Sequence, residues 1–139
     1  MIALDPNHFL GHWALGMGHE GAGAGTEAVA ALERSHQLSG GMPFTRGWLS
    51  LVYGQIGRCE DARALLDQGA QAAARGYVAP FTFALGYVGL GDWNAAFEWL
   101  DRAIEVRDPL IMPIKTYPFF DSVRGDARYV GLLRKMKLV

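Results

Sequence analysis

The chain has 139 residues, half of them apolar and 12% aromatic, which suits one domain or one short array and excludes a disordered polymer. Thirteen Lys and Arg against fourteen Asp and Glu leave a formal charge of −1, so no basic surface argues for nucleic acid. No apolar run approaches the roughly 20 residues that span a bilayer, Met1 to Asp5 do not form a signal peptide, and the lone Cys59 has no internal partner; a soluble, cytoplasmic protein is expected.

The chain repeats itself every 34 residues. Gly23, Gly57 and Gly91 keep that step, and so do Ala28, Ala62 and Ala96, then Leu32, Leu66 and Leu100. Leu15, Leu49 and Phe83 form a further column, as do the small residues Gly16, Ser50 and Ala84, and His19, Tyr53 and Tyr87. Such a period belongs to stacked helix pairs. Three units follow, at about 7–40, 41–74 and 75–109, with a capping segment over 110–139.

In the first unit a helix carries His8, His12 and His19. The glycine-rich Gly21-Ala22-Gly23-Ala24-Gly25 turns the chain, and Thr26 is placed to cap a second helix bearing Glu27, Val29 and Leu32. In the second unit Leu49, Tyr53 and Ile56 line one helix, Gly57 turns, and Ala62, Leu65, Leu66 and Ala73 line the next. Gly69, inside that second helix, reads as a weak point. The third unit predicts a helix over Ala79 to Leu90, a turn at Gly91-Asp92 and a helix from Trp93 to Arg107. Ala96, Phe97, Leu100, Ala103 and Ile104 recur there at helical spacing, and Pro109 disfavours continuation. The columns of small residues are expected where the two helices of a pair cross at the usual 8–10 Å. Beyond the repeat, Pro113, Pro118 and Phe119-Phe120 predict a broken segment, and Asp126 a capped helix with Tyr129, Val130, Leu132, Leu133 and Met136.

The pattern resembles the tetratricopeptide repeat (TPR) over about residues 7 to 109. The stretch Phe83-Ala84-Leu85-Gly86-Tyr87, then Gly91-Asp92-Trp93-Asn94-Ala95-Ala96, Leu100, Ala103 and Asp108-Pro109 carries the resemblance most clearly. Departures from the family pattern are His19 in place of an aromatic residue, Gly69, and an inter-unit proline only at Pro109; they predict looser first and second units. The tail is similar to the ends of many bacterial multidomain TPR proteins. The resemblance implies an all-α fold, a right-handed α-α superhelix of three helix pairs with a C-terminal capping helix, and no catalysis. Ile2 to Pro6 match the end of a repeat, so the chain is expected to start in mid-array, as a fragment of a larger bacterial protein.

By the same analogy a second stripe on each first helix lines the concave groove: Leu10, Trp13 and Met17, then Phe44 and Leu51, then Phe81, Leu85 and Val88. Charged clamp residues are missing from its columns, where Trp13, Gly47 and Phe81, and Met17, Leu51 and Leu85, stand instead. The groove therefore suits a protein or peptide with an apolar or helical segment, the chain's own tail, or a second copy in a homo-oligomer. No cofactor, nucleic acid or membrane is expected. The rival reading is a metal-binding or enzymatic module at His8, His12 and His19 with Glu20, but a fourth zinc ligand is lacking in sequence. Gly16, Gly18 and Gly21 spell a dinucleotide-type pattern without the strand it requires. Cys59 lies at a helix start beside Arg58 alone, and the basic residues Arg124, Arg128, Arg134, Lys135 and Lys137 read as a solvated helix face.

Overall fold

The computed structural model describes residues 9–111, 114–115 and 117–137. These form seven helices: α1 (Phe9–Gly21), α2 (Gly25–Leu38), α3 (Pro43–Gln55), α4 (Cys59–Ala73), α5 (Pro80–Leu90), α6 (Trp93–Glu105) and α7 (Ala127–Lys135). Two 3-10 turns, Pro109–Ile111 and Pro118–Val123, separate α6 from α7, and the described residues contain no strand. The fold is all-α. None of these helices is long and apolar enough to cross a membrane.

The 34-residue glycines end helices by backbone geometry. Gly23, Gly57 and Gly91 have φ of 76°, 87° and 76°, and a Cβ on any of them would meet nothing within 4 Å. Left-handed φ is therefore what selects glycine here. The amide after each glycine donates back to the closing turn: Ala24 to the His19 carbonyl at 2.8 Å, Arg58 to Tyr53 at 2.8 Å, and Asp92 to Tyr87 at 3.0 Å. That bond is the Schellman closure. It explains why two sequence columns, the glycines and His19, Tyr53 and Tyr87, move in step.

Two expected boundaries shift. α6 stops at Glu105, before Pro109 can act, because Arg107 takes φ 57° and the Asp108 amide donates to the Ala103 carbonyl at 2.8 Å. Thr26 does not cap α2; the cap position is Ala24, with no side-chain bond. Asp92 and Asp126 do cap their helices, accepting from the amides of Ala95 (3.2 Å) and Arg128 (2.8 Å).

Each helix packs on its sequence neighbour from α1 to α6, α6 on α7, and α3 also lies along α5. Small residues set these distances. A Cβ on Gly16 would stand 3.0 Å from Leu32 Cδ2, and Ala28, Ala62 and Ala96 are fully buried. Between α3 and α5 the contact is backbone against backbone. A Cβ on Gly54 would fall 2.5 Å from the Gly89 oxygen, and one on Gly89 would fall 2.9 Å from the Leu51 carbonyl carbon. Gly69 is no weak point. It is buried, and a Cβ there would stand 3.1 Å from the Phe83 ring, which stacks on Trp99 at 4.4 Å.

Asp108 joins the third unit to its own start. Only 2% exposed, its carboxylate accepts from the Phe81 amide at 3.0 Å and the Leu110 amide at 3.0 Å. The first amide belongs to the opening turn of α5, which otherwise has no side-chain cap.

Candidate functional site

The first helices α1, α3 and α5 place aromatic rings so that they form one continuous seam. Trp13 of α1 meets Phe44 and Trp48 of α3 at centroid distances of 5.3 and 6.0 Å. Trp48, 1% exposed, then meets Phe81 of α5 at 6.4 Å. Tilted and edge-on rings at these separations suit the quadrupoles of the aromatic faces.

The tail returns over this seam. Tyr117 stacks on Phe81 at 5.6 Å and approaches Trp48 at 5.4 Å, while Phe119 lies 5.7 Å from Trp48. Phe120, fully buried, anchors the segment between Trp93 and Tyr129. Arg124 then ties it down. Its guanidinium donates to Asp121 at 2.7 Å, to the Tyr117 carbonyl at 3.2 Å and to the Tyr129 hydroxyl at 2.9 Å. The Tyr117 hydroxyl donates to the Leu110 carbonyl at 3.0 Å, and burial beside the Asp108 carboxylate pushes its pKa up to about 12.

The eight groove positions expected from the sequence fall into two sets. Leu51, Phe81, Leu85 and Val88 are buried in the core, at 0%, 0%, 1% and 7% exposure, Phe81 beneath Tyr117 of the returning tail. Leu10 is 45% exposed, and Trp13, Met17 and Phe44 are half-buried at the edge of the core. The accessible end of the seam is therefore at α1 and the start of α3. Gly47, also assigned to the groove, instead touches α5, where a Cβ would stand 3.0 Å from the Thr82 Cα. Trp48 is the ring that sequence reasoning passed over. It stands 35 residues after Trp13, one out of step with the period, so the register points to Gly47.

Polar groups around the seam are sparse. The indole N–H groups of Trp13 and Trp48 are buried without an acceptor among the described residues. Glu20, at the end of α1, accepts from Gln55 at 3.1 Å through one oxygen, and its other oxygen is buried without a donor among these residues. Burial raises its pKa above the usual carboxylate range, the Gln55 bond opposes this, and the charge of Asp121 adds to it.

No family model, curated protein or solved structure matches this chain.

Among the described residues no group of three or more His, Cys, Asp or Glu side chains is placed to hold a metal, and His8 lies outside them. Gly16, Gly18 and Gly21 lie within α1. Cys59 is exposed at the start of α4. The late basic residues are not simply a solvated face. Arg128 donates to Asn94 at 2.7 Å and lies over the Phe97 ring at 4.5 Å, and Lys135 pairs with Asp101 at 2.8 Å, joining α7 to α6.

Proposed function

We propose that the chain is a protein-interaction scaffold of the TPR type, with helix pairs winding as a right-handed superhelix around a groove for an apolar or helical segment. The observation that carries this reading is the ring seam from Trp13 to Phe81, along which two buried indole donors have no acceptor among the described residues. At the accessible end, the Trp13 indole donor beside apolar side chains suits a peptide, whose carbonyl groups supply acceptors while its side chains fill the trough. Leu10, Trp13, Met17 and Phe44 form the accessible face, and the remaining rings form its floor. The occupant is a segment of another protein, or a second copy of the chain where the array acts in assembly. The period of 34 residues and the Schellman closure shared by its turns support the family assignment.

The test is binding of fluorescently labelled amphipathic helical peptides, read by anisotropy and by tryptophan emission. Trp13→Ala should remove binding while leaving the far-UV circular dichroism intact. Equal affinity in the variant would refute the groove, and sedimentation over a concentration series tests assembly separately.

A further inference from the structure

We propose that the partner enters at the contact between α1 and α3, as a segment of another protein in extended form that is held by its main chain. The proposal rests on the groove reading above and adds the conformation of the partner and the atoms that recognise it.

The 34-residue step brings out a difference between two equivalent contacts. Gly47 of α3 lies against Thr82 of α5, and Gly54 against Gly89, so these helices close to main-chain distance. One period earlier the same four positions are Trp13, Trp48, Glu20 and Gln55. Here side chains stand between the helices. The indoles meet edge-on at 6.0 Å, and the exposed Gln55 amide donates to Glu20 at 3.1 Å. α1 packs along α2, and it does not lie along α3 as α5 does. Admitting a segment between α1 and α3 therefore disrupts one exposed hydrogen bond and ring contacts, but no main-chain packing.

The polar atoms left over at this contact are of both kinds. Trp13 Nε1 and Trp48 Nε1 are buried donors and Glu20 Oε2 is a buried acceptor, each without a hydrogen-bond partner among the described residues. All three belong to the residues that hold the two helices apart. A helical ligand cannot satisfy them with its interior N–H and C=O groups, which are already bonded to one another. An extended chain can, with carbonyls toward the indoles and an amide N–H toward the carboxylate, so that opposite charges face each other along its length. The spacing agrees. Trp13 and Glu20 are seven residues apart on α1. That is about 10 Å along the axis, which about three residues of extended chain cover. Met17 and Leu51 stand between the polar ends on the same helical stripes, so an apolar side chain of the segment meets an apolar middle.

The probe is a labelled eight-residue peptide alternating leucine and threonine, too short to hold a helix, set against a stapled amphipathic helix of equal leucine content. The extended peptide should bind the full chain about tenfold more tightly, the strength of one hydrogen bond to a charged group. A helix that binds as well or better overturns the extended mode and leaves the groove standing. Absent binding by both overturns the two readings together. Trp13→Phe keeps the ring and removes the donor. It should weaken the extended peptide about fivefold, the strength of one neutral hydrogen bond, without lowering Tm, because the donor it removes has no acceptor in the free chain. Unchanged affinity overturns the proposal. N-methylating alternate amides of the peptide should weaken binding about tenfold in one of the two registers, and Glu20→Ala should abolish that difference. A methylation effect of equal size in both chains removes Glu20 as the acceptor and the proposal with it. Sedimentation of the free chain supplies the last outcome: a dimer lost in Trp13→Phe assigns the contact to a second copy and overturns the extended segment.

Discussion

Replacing Gly89 by Ala should destabilise the chain, whereas the same replacement at Gly18 should stabilise it. Both glycines lie in helices with ordinary negative φ, so backbone strain does not distinguish them. Space does. A methyl group on Gly18 meets nothing within 4 Å, but on Gly89 it would sit 2.9 Å from both the Cα and the carbonyl carbon of Leu51, and closer still to that oxygen. The obstacle is the backbone of α3, which no side-chain rotation can move, so the helices must separate. Overpacking of this kind costs about 3 kcal/mol at the upper end of its range. Ala regains about 1 kcal/mol over Gly through helix propensity, which leaves a net loss of about 2 kcal/mol. At roughly 3–5 °C per kcal/mol for a chain of this size, Tm should fall by about 6–10 °C. Gly18→Ala keeps only the gain and should raise Tm by a few degrees. Thermal and urea unfolding followed by circular dichroism, with coincident transitions as the test of two-state behaviour, measures both. A Gly89→Ala chain melting at or above the unaltered protein would show that α3 and α5 do not touch backbone to backbone.

Three further outcomes follow from the same packing. Asp108→Ala strands the buried amide of Phe81 and the half-buried amide of Leu110 and should cost about 2–3 kcal/mol in urea unfolding, more than a surface carboxylate loses. Ala96→Leu, at a fully buried position on the face of α6, should cost about 1–3 kcal/mol by the same measurement. Stability should also fall at both ends of the pH range. Burial and the nearby Arg46 lower the pKa of His36, so the unfolded chain takes up that proton more readily and stability declines as pH drops below about 6.5; His36→Gln should flatten this limb. The Tyr53 and Tyr117 phenols are both raised to about 12, the first by burial and its bond to Glu33. Their contribution is complete below about pH 10, the unfolded value, and is lost as pH rises through 12, which absorbance at 295 nm can follow.

Helix pairing was legible in the sequence because each turn needs the same backbone event. A left-handed residue closing a helix selects glycine locally, and three such events in register write a period into the chain. The fourth was there to be seen. Gly125-Asp126 stand 34 residues after Gly91-Asp92, and α7 begins 34 after α6, so the tail keeps the register of the repeat. It is hidden because Gly125 does not turn left-handed and a 3-10 turn replaces the helix that should precede it. Asp108 was read only as part of the Asp108-Pro109 ending of the third unit, since its partner amide at Phe81 lies 27 residues away. The course of Tyr117 to Phe120 across the seam was not legible from the repeat, because a 3-10 turn stands where the period calls for a helix. Tyr117 and Phe119 keep the 34-residue step after Phe83 and Leu85, but the segment is not an α-helix, and long-range packing against Trp48 and Phe81 places them.

The joints between units are of two kinds, and they differ in what they allow evolution or an engineer to exchange. α1 meets α3 through rings, Trp13 on Phe44 and Trp48, and interlocking side chains can be re-cut by changing either partner. α3 meets α5 through the Trp48–Phe81 contact and also through bare main chain at Gly54 and Gly89, where no substitution on one side compensates for bulk on the other. The opening helix pair is thus held to α3 by side chains, those rings together with the His36–Thr45 and Tyr53–Glu33 bonds from α2, and can be re-cut one contact at a time. The next two pairs are inherited as one indivisible block.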